Sequence, residues 1–108
     1  MSFMLTTEQI KNRSKTVTRR LGWWFLKPGD ILNACEKCQG LKKGEKIKRL
    51  CQIIVISAEK VPLHKMSHAE CFREGFPAFA PSEFIEMFRK EMKCALTAEV
   101  NRIEFRYV

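Results

Sequence analysis

No apolar run in this 108-residue chain approaches the roughly 20 residues that a membrane-crossing helix needs. Met1-Ser2-Phe3-Met4-Leu5 is followed at once by polar residues, so no secretory apolar stretch is present and a cytoplasmic protein is expected. Acidic residues are scarce in the first part of the chain. Residues 1–60 hold 13 Lys/Arg against 5 Asp/Glu, a net of +8, whereas residues 61–108 hold 7 against 7. No basic helix with a broad apolar face is visible, which disfavours a membrane surface as the partner of that charge. Nucleic acid is the simplest anionic partner, although excess lysine also serves as a plain solubility device. There is no repeat, linker or composition break, so residues 1–108 read as one domain with a single core. Five cysteines is an odd number; in a chain without an export signal they are expected to be reduced, most of them as small buried apolar groups.

The elements that are present carry clear signals. Thr6 with Gln9 is a capping-box pattern and predicts a short helix from Thr7 to about Arg13. The β-branched Thr16-Val17-Thr18 stretch predicts a strand through Arg20. Lys27-Pro28-Gly29-Asp30 reads as a tight turn with Gly29 at positive φ, opening a strand over Ile31 to Cys35. Residues 39–48 read as a polar, glycine-punctuated loop. Arg49 to Ser57 carries Leu50, Cys51, Ile53, Ile54, Val55 and Ile56 and predicts a central strand buried on both faces. Ser67 with Glu70 is a second capping box, for a short helix that Gly75 ends. Pro81 opens a longer helix whose core face is Phe84, Ile85, Phe88 and Met92. Ile103, Phe105 and Tyr107 alternate with Arg102, Glu104 and Arg106, the pattern of a half-buried strand. This is the inventory of a small α+β domain, a curled sheet or barrel flanked by helices.

The chemistry concentrates between Arg13 and Arg20. An amine (Lys15), two hydroxyls (Thr16, Thr18) and two guanidiniums (Arg19, Arg20) occupy six consecutive positions around Val17. An amine and a hydroxyl can pair as base and nucleophile, and guanidiniums bind phosphate or a developing oxyanion. A solvated basic strand edge accounts for the same composition. Lys15 can act as a base only when uncharged, and burial together with Arg19 and Arg20 would push its pKa below the ordinary value of roughly 10.4. In a regular strand Lys15 and Thr18 point to opposite faces, so a joint role predicts a bend at Lys15-Thr16.

Lys15-Thr16-Val17-Thr18-Arg19-Arg20, then Lys27-Pro28-Gly29-Asp30 before a strand, then Glu74-Gly75-Phe76 and a terminal Ile103-Glu104-Phe105 strand together resemble the ASCH domain family. The family pattern Gly-x-Lys-x-x-Thr-x-Arg is matched by Lys15, Thr18 and Arg20, with Arg13 at the glycine position. The resemblance implies a small PUA-like β-barrel, a curled mixed sheet flanked by short helices, that binds RNA or a modified nucleoside. It also implies an amidohydrolase that removes the acetyl group from N(4)-acetylcytidine, with Lys15 as proton acceptor, Thr18 as nucleophile and Glu74 as proton donor. Glu70, one helical turn away, is the alternative acid. A place at the end of the short helix would favour the protonated form of Glu74. Thr16, Arg19, Arg20, Trp23, Lys42 and Lys43 are the expected nucleoside- or RNA-binding residues, and no metal or cofactor is expected. Non-catalytic RNA binding, or a basic surface that holds an acidic protein partner, is the alternative.

Trp23 and Trp24 flank the basic segment, where a ring could stack on a base; Trp24 is the better candidate for the core. Cys35-x-x-Cys38 with His64-x-x-x-His68 has zinc-like spacing within each pair, but the separation between the pairs matches no zinc finger, and separate packing roles are the better reading. No thioredoxin-like context supports a redox role for Cys35 and Cys38.

Overall fold

The computed structural model describes residues 1–37 and 43–108. Cys38 and Lys42, both named above, therefore lie outside the described residues. A 3-10 turn (Met4–Thr6) leads into α1 (Thr7–Lys11), followed by β1 (Val17–Arg20), β2 (Ile31–Cys35), β3 (Arg49–Pro62), α2 (His68–Glu74), α3 (Pro81–Met92) and β4 (Glu99–Tyr107). The four strands form one sheet in the order β1-β4-β3-β2, and every strand pair is antiparallel. The expected mixed sheet is thus antiparallel, and the parallel contribution is confined to an isolated bridge between Ser2 and Cys35.

That bridge matters for the curl. The chain at Met1–Phe3 runs along β2, with Cys35 N–H donating to Met1 O and Phe3 N–H to Cys35 O. At the opposite edge of the sheet, Arg20 on β1 donates from Nη2 to Ser2 O at 2.6 Å. The N-terminal residues therefore link both edge strands and hold the half-barrel closed. A register shift between Val55 and Ser57 adds a bulge to β3, where two residues oppose one and the strand bends.

β3 is a central strand, but it is not buried on both faces. Ile53 and Val55 are buried, whereas Ile54 is half-buried and Ile56 is 43% exposed. The run of apolar residues hides an ordinary alternation, and the bulge turns Ile56 outward. One core cluster brings Phe3, Ile10 and Leu26 together with Ile53, Val55 and Phe105 of the sheet. A second packs Leu63, Cys71 and Val100 against Phe84 and Phe88 of α3.

Several local signals act as read. Gly29 has φ 93° in the turn before β2. Ser67 Oγ accepts from Glu70 N–H, and Gly75 ends α2 in the left-handed region at φ 96°. Helix α1 is shorter than predicted and Thr6 makes no side-chain cap. Its partner Gln9 instead donates to Gly75 O at 3.0 Å, tying α1 to the end of α2. The tryptophans reverse their expected roles. Trp24 is 52% exposed with Lys60 Nζ 5.5 Å from its ring centroid, and Trp23 is half-buried against the first cluster.

Candidate active site

Lys15 sits where the chain leaves α1. Ser14 and Lys15 N–H groups both donate to Gln9 O, and Thr16 N–H donates to Arg73 O. β1 begins only at Val17. The segment therefore bends before the strand, and Lys15 and Thr18 line the same cavity. Arg13, at the position where the family pattern has glycine, takes φ 62°, the left-handed region in which glycine has no steric penalty. Its guanidinium lies 5.4 Å from the Tyr107 ring centroid, a contact that offsets part of that cost. Tyr107 donates from its hydroxyl to Lys15 O at 2.6 Å, so β4 also holds the bend. Burial pushes the Tyr107 phenol up to about 12.

Glu74 is the last residue of α2, 2% exposed, and its carboxylate lies between two cations. Lys15 Nζ donates to Glu74 Oε1 at 3.0 Å and to Glu74 O at 2.6 Å, and Arg19 Nη1 donates to Oε2 at 2.9 Å. The helix terminus places Glu74 as predicted, but these two partners, rather than the helix end, dominate its surroundings. Burial lowers the Lys15 pKa from the ordinary lysine value; the charge and hydrogen bond of Glu74 oppose that shift, and Arg20 and Arg19 add to it.

Thr18 is buried, and Arg20 Nε donates to its Oγ1 at 3.2 Å. A guanidinium N–H on that oxygen directs the hydroxyl proton elsewhere and favours negative charge on the oxygen. Arg20 itself is stacked over Phe3, 4.8 Å from the ring centroid.

Glu70 is separated from this group. It accepts from Arg102 Nε (2.5 Å), Arg19 Nη2 (2.7 Å) and Arg73 Nη1 (2.9 Å), and does not line the cavity. The Arg102 hydrogen bond, helped by those of Arg19 and Arg73 against the opposing effect of burial, holds its carboxyl at about 2. A carboxyl held that low is poorly suited to donate a proton near neutrality, and Glu74, not Glu70, lines the cavity. A pKa depressed in the folded state stabilises fully above the ordinary value of 4.5 and is lost as pH falls towards 2. Glu70→Gln is expected to lower unfolding free energy by about 2–3 kcal/mol at pH 7. The difference from the unsubstituted protein, followed by urea denaturation, narrows between pH 4.5 and pH 2.

The cavity has a volume of about 250 Å³. Its polar floor is Lys15, Thr18, Arg19, Arg20 and Glu74. One wall is a stripe on α3, Phe84, Met87, Phe88, Glu91 and Met92, at the spacing of one helix face. The other wall is the N-terminal segment from Ser2 to Thr6, and Phe76 lies between floor and helix. The sequence identified the floor but not the walls. Phe84, Phe88 and Met92 read as a plain core stripe, and no pattern marks Met4 or Leu5 as their counterparts across a gap.

The remaining expected binding residues do not join the cavity. Thr16 is half-buried and its carbonyl accepts from Phe105 N–H; Trp23 packs on the first core cluster; Lys43 is exposed in a turn with Gly44. His64 and His68 are exposed, and among the described residues no group of three His, Cys, Asp or Glu side chains is placed to hold a metal.

Gly75 couples the parts. A Cβ added there would lie 2.9 Å from Gln9 Cγ and 3.5 Å from Lys15 Cβ, at a φ that side chains rarely adopt. Gly75→Ala is expected to cost about 2–3 kcal/mol in thermal or urea unfolding, from backbone strain and overpacking together.

No protein-family model matches the chain, and no curated protein matches its sequence. Among solved structures, the fold is similar to the crystal structure of protein EF3133 from Enterococcus faecalis V583, which the family model DUF984 describes. The TM-score is 0.67 at 17% identity, over 96% of this chain and 70% of that one. The likeness defines the class of fold: a small α+β domain with a curled, four-stranded antiparallel half-barrel and three short helices. Among the described residues, no helix is long and apolar enough to cross a membrane.

Proposed function

We propose that this protein is an ASCH-type, PUA-like amidohydrolase that admits one acylated nucleoside to the cavity and hydrolyses its acyl amide, with N(4)-acetylcytidine as the reference substrate. The observation that carries the reading is that Lys15, Thr18 and Glu74, drawn from the bend, β1 and the end of α2, line one cavity. At about 250 Å³ it lies just below the roughly 300–1,000 Å³ of typical small-molecule sites, which suits one small group and not a run of RNA.

The Lys15–Glu74 pair offers a way to meet two requirements at once. Transfer of one proton across their 3.0 Å contact turns ammonium and carboxylate into amine and carboxylic acid, a base and an acid made together. The amine then takes the Thr18 hydroxyl proton as Oγ1 attacks the acyl carbon. The carbon–nitrogen bond breaks as Glu74 protonates the leaving amine, and the acyl group is left as an ester on Thr18. Water hydrolyses the ester, releasing the carboxylic acid and restoring Thr18. Arg20, already on Oγ1, is placed to stabilise the developing negative charge.

A second reading, non-catalytic RNA binding, draws on different residues. Arg19 is neutralised internally by Glu70 and Glu74, so an RNA surface falls to exposed side chains such as Lys43, Lys46, Lys48 and Arg49. The deciding experiment is incubation with N(4)-acetylcytidine, followed by chromatography for cytidine and acetate. Stoichiometric release of both supports the hydrolase. No release, together with RNA affinity that falls steeply with salt, supports the second reading. Equal affinity for RNA and heparin points instead to an acidic protein partner.

A further inference from the structure

The floor accounts for the reacting atoms, but most of the cavity does not touch them. From Phe84 to Met92 the α3 stripe spans about 12 Å at 1.5 Å per residue. An acetyl group extends only two bonds of about 1.5 Å from the amide nitrogen. The rings form a continuous path away from the floor. Lys15 Nζ lies 6.0 Å from the Phe76 centroid, Phe76 is 6.0 Å from Phe84, and Phe84 is 6.2 Å from Phe88. Met87, Met92, Met4 and Leu5 line the same cavity. Outside the floor the walls contribute only Ser2, Thr6 and Glu91 as polar residues. A pyrimidine inserted there would bury ring nitrogens and a carbonyl with few partners, at a cost of several kcal/mol by transfer data. An alkyl chain carries no such groups and gains from the same surface.

We infer that the slot between α3 and the N-terminal turn is an acyl-chain pocket, so that the substrates are nucleosides N-acylated by medium-length aliphatic groups rather than by acetyl alone. This rests on the amidohydrolase reading for its chemistry. The bond broken is the same carbon–nitrogen bond, the chain passes to Thr18 Oγ1 and leaves as a fatty acid, and the base departs as the free amine. Met92 is 43% exposed, so the slot is open to solvent at its far end.

The test compares N(4)-acetyl-, N(4)-butyryl- and N(4)-hexanoylcytidine, with kcat/KM for the unsubstituted protein and calorimetric Kd for Thr18→Ala. kcat/KM should rise about two- to fourfold per added methylene, with Kd falling in parallel. Met87→Trp, which narrows the slot, should reduce the hexanoyl-to-acetyl ratio at least about tenfold. Met92→Asp at the exposed rim is a second variant that should act in the same direction if Met87→Trp does not fold. Rates that are flat or fall with chain length overturn the acyl pocket while the hydrolase stands. Binding that tightens with chain length in the absence of any turnover overturns the hydrolase and leaves an apolar-chain site. Neither turnover nor chain-dependent binding overturns both.

Discussion

Thr18→Ala and Lys15→Met are each expected to reduce kcat/KM for nucleoside deacylation by about a thousandfold or more, equivalent to about 4 kcal/mol of transition-state stabilisation. The first removes the proposed attacking oxygen and the second its proposed proton acceptor. Because the two act as a unit, the double substitution should be little worse than either alone. Lys15→Arg is the sharper control, since it retains a positive charge beside Glu74 but cannot deprotonate in the working range. It should be as inactive as Lys15→Met. The pH profile carries the same information. The reactive amine–acid pair of the proposed mechanism holds the same single proton as the ion pair, so kcat/KM should be level across neutral pH and fall once alkali removes that proton, at a pH below the ordinary lysine value of 10.5 because burial lowers the Lys15 pKa. A rate that keeps rising into alkali, or substantial turnover in Lys15→Arg, would remove this role for Lys15.

Glu74→Gln is expected to be the most destabilising conservative substitution in the chain, at about 3–5 kcal/mol. It leaves Lys15, with its side chain 3% exposed, and Arg19, 2% exposed, without the carboxylate they share. Among the described residues Arg19 Nε has no hydrogen-bond partner, so of the contacts to carboxylates only that of Nη2 with Glu70 remains after the substitution. At about 4 °C or more per kcal/mol for a chain of this size, the melting temperature should fall by more than about 10 °C. Adding Lys15→Met to Glu74→Gln should restore part of the loss by removing one unpaired cation, a coupling that a double-mutant cycle measures. Glu86→Gln, which breaks a pair whose glutamate side chain is 71% exposed, should cost under about 1 kcal/mol and serves as the surface control. A fall of similar size in both variants would show that burial is not the cause.

The strands and turns were legible where one residue type forces one geometry. Pro28-Gly29 set the turn before β2, Gly75 ended α2, and the alternation from Ile103 to Tyr107 marked β4. Legibility failed where two structures share one pattern. An unbroken Ile53-Ile54-Val55-Ile56 run looks the same whether one or both faces are covered, and the difference lies in a bulge that the sequence does not mark. Thr6 and Gln9 satisfy a capping box on paper, yet Gln9 is recruited across the fold by Gly75. The polar floor was readable because Lys15, Thr18 and Arg20 are close in sequence. The Arg19–Glu70–Arg102 cluster and the apolar walls were not, since their members meet only through tertiary packing. Arg13 is the instructive intermediate: its departure from the glycine of the family pattern was visible, and its left-handed backbone explains why glycine suits that position.

Tyr107 is the only tyrosine in the chain, and its hydroxyl grips the carbonyl of the residue on which the proposed chemistry turns. The ultraviolet signature of phenolate formation in this protein thus originates from a single known atom beside Lys15. Alkaline spectrophotometric titration becomes a label-free gauge of whether a variant still holds Lys15 in place, separating damage to the scaffold from loss of chemistry.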